Sequence, residues 1–561
     1  MLRPMSEIET YNSETLEHLG LVAGMFDELG IGELVDELVP QDLSQRKVSV
    51  GQALKAMVLN GLGFANRRLY LMPEFFRNKP TERLVGAGVS PEHLNDDALG
   101  KALDGLHAFG LTELYRLIAR RAAERLKLLR GGKVAMAHLD TTSFHVDGRY
   151  NSEEDGFDED AGVIRVSKGY SRDHRKDLNQ VVLELITESR ANLPMMMRTL
   201  SGNASDKASF KDAIERHVGQ LQGDDGGPPS MVVTDSAGFT RECLAACQRH
   251  GLGWVMSVPS TVGEARRRLE EIAEDPEKLR PLAEGYRYTA FSTTYAGVEQ
   301  RWLVIYSEAA RERAAKAVDK RLLKGGDQER KAFDGLRRET FHCPEDAWRA
   351  LAAFRGTLRV LEVHSADVVE RRRYKSAGKP PADAVPESID YHLDGALAAP
   401  ITVRQRRLIR CSCFILATNE LDEGVLADPE VLRAYKGQSG KVERGFRFLK
   451  DPMFLASTLY LKRVERVMAL LMVMTVCLLV YAALEYRIRQ TLAEHELESV
   501  PDQKGKPTRR PTAKWVFELF MDVHLLTITA EKTIRRLVLN LREELKRLLE
   551  LMGPTYMELY S

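Results

Sequence analysis

The run VAMAHLDTTSFHV, residues 134–146, decides how the rest of the chain is read. It alternates or runs apolar as a strand does, and Gly131-Gly132 and Asp147-Gly148 bound it. Asp140 stands inside this run, where a carboxylate is costly unless it is paired or binds a metal. Downstream, QVVLELITES (180–189) and LPMMMRTLSG (193–202) read as two more strands. The segment SDKASFKDAIERHVGQLQG (205–223) reads as a helix capped by Ser205. SMVVTDSAG (230–238) is then a buried strand ending at Asp235, TRECLAACQRHG (240–251) a helix and GWVMSVP (253–259) a strand. The order βββαβαβ predicts a mixed sheet with helices on its faces. Two such strands can bring Asp140 and Asp235 to one edge, where hard oxygen donors with room for water suit Mg²⁺ or Mn²⁺. The blander reading is that Asp140 caps a turn and Asp235 caps the next helix.

On the N-terminal side, residues 14–130 read as helical. Leu21, Val22, Met25, Phe26 and Leu29 recur at helical spacing, as do Leu54, Met57, Val58 and Leu62. Ser49 and Asn95 are the expected N-caps of SVGQALKAMVLNGLG and NDDALGKALDGLHAFG. Such a module suits DNA binding or dimerisation equally well. On the C-terminal side, residues 261–430 break the rhythm. Charged helices (264–279 and 312–339) mix there with strand-like runs, YRYTAFSTTY, EQRWLVIYSE and LIRCSCFILAT, as in an inserted α/β subdomain. Residues 458–490 read as one apolar helix. Its core, VMALLMVMTVCLLVYAAL (467–484), is uncharged and at the lower edge of a membrane span. The charged turns around it favour burial in a soluble core. After the linker PDQKGKPTRRP, an amphipathic helix is expected from about Ala513 to Met552.

The 561 residues are enough for about three or four domains. The 81 basic and 81 acidic side chains cancel overall, yet they are segregated. Residues 1–40 hold one basic and nine acidic residues, net −8, whereas residues 41–130 hold fifteen and nine, net +6. A polyanion responds to the local patch rather than to the total. The six cysteines form no C-x-x-C pair, which argues against a disulfide scaffold or a zinc site, and MLRPMSEIET has no apolar leader core. A reducing cytoplasm is the expected compartment. In AYKGQSGKVERGFRFLKDP (434–452), Glu443, Arg447 and Lys450 share one side of a helix. A carboxylate flanked by cations there can hold a metal while its neighbours hold phosphates, and an exposed helix with i,i+4 pairs is the alternative.

Taken in order, HLDTTSFHVDG, GYSRDHRKDLNQVVLEL, LPMMMRTLSGNASD, VVTDSAGF and YKGQSGKVERGFRFLKDP resemble the DDE transposases of bacterial insertion sequences. More narrowly, they resemble the group with a Y-R-E-K signature around the catalytic glutamate. The resemblance covers about residues 130–260 and 430–490, with a long insertion between. It implies an α/β architecture: an RNase H-like mixed sheet flanked by helices and interrupted by an inserted α/β subdomain, with a helical N-terminal module and a helical C-terminal tail. By motif, Asp140, Asp235 and Glu443 take the places of the three catalytic, metal-holding acids, with two Mg²⁺ or Mn²⁺ ions as cofactor. Lys450 matches the signature's basic residue. Ser439 stands where an arginine is expected, and Lys436 where a tyrosine is expected, with Tyr435 beside it. Lys441 or Arg444 can stand in for the arginine, and Arg447 is a further phosphate contact.

The implied domains are 1–130 (helical, DNA-binding or dimerising), 131–260 (catalytic core, first part), 261–427 (insertion), 428–490 (core, second part) and 491–561 (linker and helix). The implied partners are the element's inverted-repeat ends and target DNA, handled by a homodimer or larger assembly, with no membrane, in a bacterial cytoplasm at the nucleoid. Lys168, Arg172, Arg175 and Lys176, between the first two strands, either track a phosphate backbone or form a charged hairpin tip. Trp302 is a core residue or a stacking platform for DNA, and His138 and His145 are strand residues. The competing functions are a catalytically decayed repressor of element ends and a metal-dependent nuclease without strand transfer.

Overall fold

The computed structural model describes residues 10–42, 44, 46–64, 67–129, 136–146, 163–169, 175, 177–218, 231–375, 384–437, 445, 463–495, 499–530 and 533–561. The chain forms two compact units. The first comprises Met1–Met256, Ala296–Val298 and Arg433–Ser561, the second Ser257–Tyr295 and Glu299–Leu432.

Unit one opens with strand β1 (Thr10–Thr15) and helices α1 (Leu19–Glu28), α2 (Ile31–Leu38), α3 (Val50–Gly61), α4 (Met72–Phe76), α5 (Thr81–Val85), α6 (Asp96–Phe109) and α7 (Leu111–Arg125). Ser49 caps α3 in a reciprocal box: its hydroxyl accepts from Gln52 N at 3.1 Å while its own N–H donates to Gln52 Oε1 at 3.0 Å. Asn95 caps α6 by accepting from Ala98 N at 3.0 Å. Asp36 ties α2 to α3, accepting from Gly51 N and Ser49 Oγ at 2.6 Å each. The two helices cross so closely that a Cβ at Gly51 would strike the Gly32 carbonyl.

The sheet of unit one follows in the expected order. It comprises β2 (Met136–His145), β3 (Gln180–Glu188), β4 (Pro194–Ser201), α8 (Asp206–Ala213), β5 (Met231–Thr234), α9 (Arg241–Arg249) and β6 (Gly253–Val258). Its strands run β4-β3-β2-β5-β6. The first three pair antiparallel, whereas β2–β5 and β5–β6 are parallel. A meander followed by helical crossovers, with the first strand at the centre, is the RNase H-like arrangement.

Unit two holds α10 (Gly263–Glu274), β7 (Arg280–Ala283), β8 (Tyr286–Tyr295), β9 (Val298–Ser307), α11 (Glu308–Arg338), α12 (Pro344–Thr357), β10 (Glu362–Arg373), β11 (Ser388–Ala398), α13 (Ile401–Ser412) and β12 (Cys413–Thr418). Strands β12, β9, β8 and β7 lie side by side, and β10–β11 is a separate antiparallel ribbon. Phe333, Ala347, Leu351 and Leu393 form a small core under that ribbon. The strand expected over LIRCSCFILAT is only half present: Leu408 to Ser412 is the end of α13. This is a correction with a local cause. Leu408 and Ser412 are buried at i,i+4, and α13 packs on α10 and α11, so helical periodicity prevails over the β-branched content of the run. Residues 428–437 form a further helix, α14.

The apolar run lies in α15 (Val464–Glu494), and its most apolar window is wholly buried. Strand β4 and helices α1, α3, α6 and α7 pack against it, as do two helices that follow it in the chain. Sequence distal to it forms the short pair β13 (Val500–Pro501) and β14 (Pro507–Thr508), then α16 (Ala513–Leu519), β15 (His524–Ala530), β16 (Thr533–Leu539), α17 (Glu543–Met552) and α18 (Pro554–Leu559).

The single helix expected over Ala513–Met552 is therefore wrong, and the helical tail contains a hairpin. Asp522 and Asn540 have positive φ angles (65° and 62°), which interrupt a helix on either side of LLTITA and TIRRLVL. Those β-branched runs pair with each other, and β15 also pairs with β1. The polar β1, TYNSET, carries no strand signal of its own, and its last two residues, Glu14 and Thr15, fall in the stretch expected to be helical. Helices α1 and α18 meet through Gly24 and Gly20, where an added Cβ would lie 2.8 Å from the Tyr556 ring and 2.5 Å from that of Tyr560.

Candidate active site

Asp140 lies in the middle of β2 and is 4% exposed. Its Oδ1 accepts from Thr141 N at 2.8 Å. Asp235 follows the last residue of β5 and is half-buried, with Oδ1 accepting from Ala237 N at 2.9 Å. The turn after it is tight, since a Cβ at Gly238 would collide with the Thr234 side chain. Thr240, rather than Asp235, caps α9, accepting from Cys243 N at 3.2 Å.

Register relates the two acids. Parallel pairing matches Met136 with Met231, Ala137 with Val232 and His138 with Val233. Two residues beyond that last pair stand Asp140 and Asp235. Asp140 is still within β2 and Asp235 is one residue past the end of β5; continued by two residues, the register puts them at equivalent positions on strands about 4.8 Å apart and, since side chains repeat every second residue, on one sheet face. Buried His138 shares that face; His145, on the other, is half-buried. The donor set fits a hard divalent cation: two carboxylates level with each other at the end of β5.

Fully buried Glu184 of β3 carries the same sequence signal as Asp140, a carboxylate inside an apolar strand. Sequence reasoning passed over it. Thr141 pairs with Glu184 and Asp140 with Leu185, so Glu184 lies on the opposite face. There it accepts from Arg198 Nε at 3.0 Å and from the Ser209 hydroxyl of α8. Burial raises its pKa, against the pull of Arg198. Glu184 is thus a structural ion-pair member, and the only clue in the sequence is Arg198 in the otherwise apolar next strand.

Glu443, Lys450, Arg447, Arg444, Lys441 and Arg172 lie outside the described residues, as do Ser439 and Lys176. Among the described residues no three His, Cys, Asp or Glu side chains form a metal cluster. Gly445 is helical and buried, and an added Cβ would come 2.9 Å from Leu478 Cδ2 of α15. Tyr435 is half-buried and Lys436 exposed in the last turns of α14. Lys168 is exposed on a segment held against β3, where Ser167 bridges Gln180 and Gly202 N donates to Arg165 O at 3.0 Å. Arg175 is engaged by Asp177 at 2.9 Å, and that contact holds the Asp177 carboxyl down at about 2. Trp302 is wholly buried and donates Nε1–H to Gln300 Oε1 at 2.7 Å, which removes it as a stacking platform for DNA.

A central β2 flanked antiparallel by β3 and parallel by β5 forms an RNase H-like core. Residues 140–480 match the family model described as "Transposase DDE domain". That is more than half of the chain, which belongs to the DDE transposase domain family and is a DDE-type enzyme of metal-dependent DNA cleavage and strand transfer. Residues 11–120 match a second model, "Domain of unknown function (DUF4277)". Among solved structures, a piggyBac transposase synaptic complex with hairpin DNA aligns over 91% of this chain and 82% of that one. It has 9% identity and a TM-score of 0.37. No curated protein matches the sequence significantly.

Proposed function

We propose that this chain binds the inverted-repeat ends of its own element, hydrolyses them to free 3′-hydroxyls and joins these to target DNA. The observation that carries the reading is the equivalent register of Asp140 and Asp235 on parallel strands. Asp140, Asp235 and Glu443 are the residues we assign to hold two Mg²⁺ or Mn²⁺ ions. Bound there, the pair supplies polarisation of the scissile phosphate and activation of water. The chain's own part is positioning. The rigid sheet fixes two carboxylates level with each other, and the Thr141 and Ala237 amides orient one oxygen of each. The reacting groups can then meet in line with little reorganisation.

Lys450, Arg447, Arg444, Lys441, Tyr435, Lys168 and Arg172 are our candidates for phosphate contacts that register the DNA end. A homodimer or larger assembly working at the bacterial nucleoid, in the cytoplasm, fits a reaction that must hold two ends. The test is incubation of the purified chain with a labelled inverted-repeat end, a supercoiled target and Mg²⁺. Joined products support the reading. Cleavage without joining indicates a nuclease, and binding without cleavage a decayed repressor.

A further inference from the structure

Helix α11 of unit two is 31 residues long and faces two ways. Val318, Leu322, Gly326 and Phe333 recur at helical spacing on the side that packs within the unit, where Val318, Gly326 and Phe333 are buried. On the side diametrically opposed, Arg313, Lys316, Lys320 and Lys324 follow one another at intervals of three, four and four residues, and all four are exposed. Like charges at such spacings repel one another along a helix. A helix face shaped by stability alone interleaves acids, and α11 does so further on, where Arg330 meets Asp327 at 3.2 Å and Arg337 meets Asp334 at 3.7 Å. Along the row itself, Asp319 is drawn off to the flank, where Arg404 of α13 grips it at 2.7 and 3.0 Å. Glu308 and Glu312 are the other acids of the first turns, and no ion pair joins either to the row among the described residues. The row thus presents four positive charges along about 16 Å of helix axis, at 1.5 Å per residue.

We propose that this row is a sequence-independent docking face for the phosphate backbone of duplex DNA, distinct from the catalytic face of unit one. The proposal rests on the reading that the chain acts on duplex DNA. B-DNA carries about one charge per 1.7 Å of axis, so a row of this length meets several phosphates at once. Flexible lysines carry no base-reading geometry, and contact of this kind raises affinity for any sequence, as capture of target DNA requires.

The test uses the full chain without divalent metal and a fluorescent 40-bp duplex of random sequence, with affinity measured against KCl concentration. K316Q/K320Q/K324Q should make the log–log salt slope shallower by about two to three, close to 0.9 per lost contact, and should weaken binding at least about tenfold at low salt. Conversion of the same three residues to arginine should keep the parent slope. R330Q/R337Q, which removes paired cations from the same helix, should leave it unchanged. A slope for the triple glutamine variant within about 0.3 of the parent overturns the proposal. An equal loss in R330Q/R337Q also overturns it, by reducing the effect to net charge. Failure of the active-site assignment is read separately, in a cleavage assay of an element end with Mg²⁺.

Discussion

Helices α11 and α15 are the same length, 31 residues each, and could hardly be used more differently. In α15 almost every residue from Val467 to Leu484 is buried, since helices cover it on several sides and β4 covers another. In α11 three residues are buried and cations lie along the outside. The sequence of α15 resembles a membrane span because burial on all sides imposes the same demand as lipid: no face may be polar. Hydrophobicity reports how many sides of a helix are covered, and leaves open whether protein or lipid covers them.

The chemistry is assigned to the unit that contains α15, and changing it should have the largest effect. Asp140→Asn and Asp235→Asn should each lower Mg²⁺-dependent cleavage of an element end by at least about a thousandfold, with end affinity within a few-fold. Gel assays of nicking and of binding separate the two, and cleavage retained in either variant would falsify its assignment as a metal-holding acid.

Next in size is the contrast between the helices themselves. Leu479 is fully buried in α15, so Leu479→Ala should cost about 2–5 kcal/mol. Ala332→Asp, at an exposed position of α11, should stay within about 0.5 kcal/mol. Urea midpoints of the two variants check this, and similar losses would mean that α11 is packed on a side that is exposed here.

A third effect belongs to the body around α15. His18 is buried against Phe64 and Phe517, with Nε2 2.7 Å from Leu62 O, and burial lowers its pKa to about 4. The unfolded chain takes up this proton near the ordinary value of about 6.5, before the folded one does. Its contribution to stability is therefore complete above about 6.5 and lost as pH falls from there to about 4, in total about 3 kcal/mol. His18→Phe should flatten that part of the pH dependence, and urea midpoints at pH 7, 5.5 and 4 measure it.

The smallest effect concerns a pair beside α15. Arg466 forks onto Asp104 of α6 at 2.8 and 2.7 Å, and the contact lowers the Asp104 pKa. Both groups are partly in solvent, so Asp104→Asn should cost only about 0.5 kcal/mol at neutral pH. The difference should vanish as pH falls below the ordinary carboxylate range through the lowered folded value. A penalty that persisted in acid would have to come from packing over Gly100, which Arg466 also covers.

Local pattern in the sequence already contained the order of β2 to β6 with their two helices, the Ser49 and Asn95 caps and the apolar character of α15. Period two, period 3.6 and cap chemistry are properties of neighbouring residues. What they could not contain is pairing. TYNSET becomes β1 only because β15 lies beside it, some five hundred residues away in the chain. The tail from Ala513 to Met552 has helical amphipathy on paper, yet β15 and β16 form where pairing with β1 is available. Glu184 and Asp140 look alike as acids inside apolar strands. The β2–β3 register sends one to Arg198 and the other to the opposite face, and the β2–β5 register brings Asp235 level with Asp140. A one-residue slip in either ladder would reverse the faces while leaving every local pattern intact, which is why the tertiary structure alone decides which acids meet.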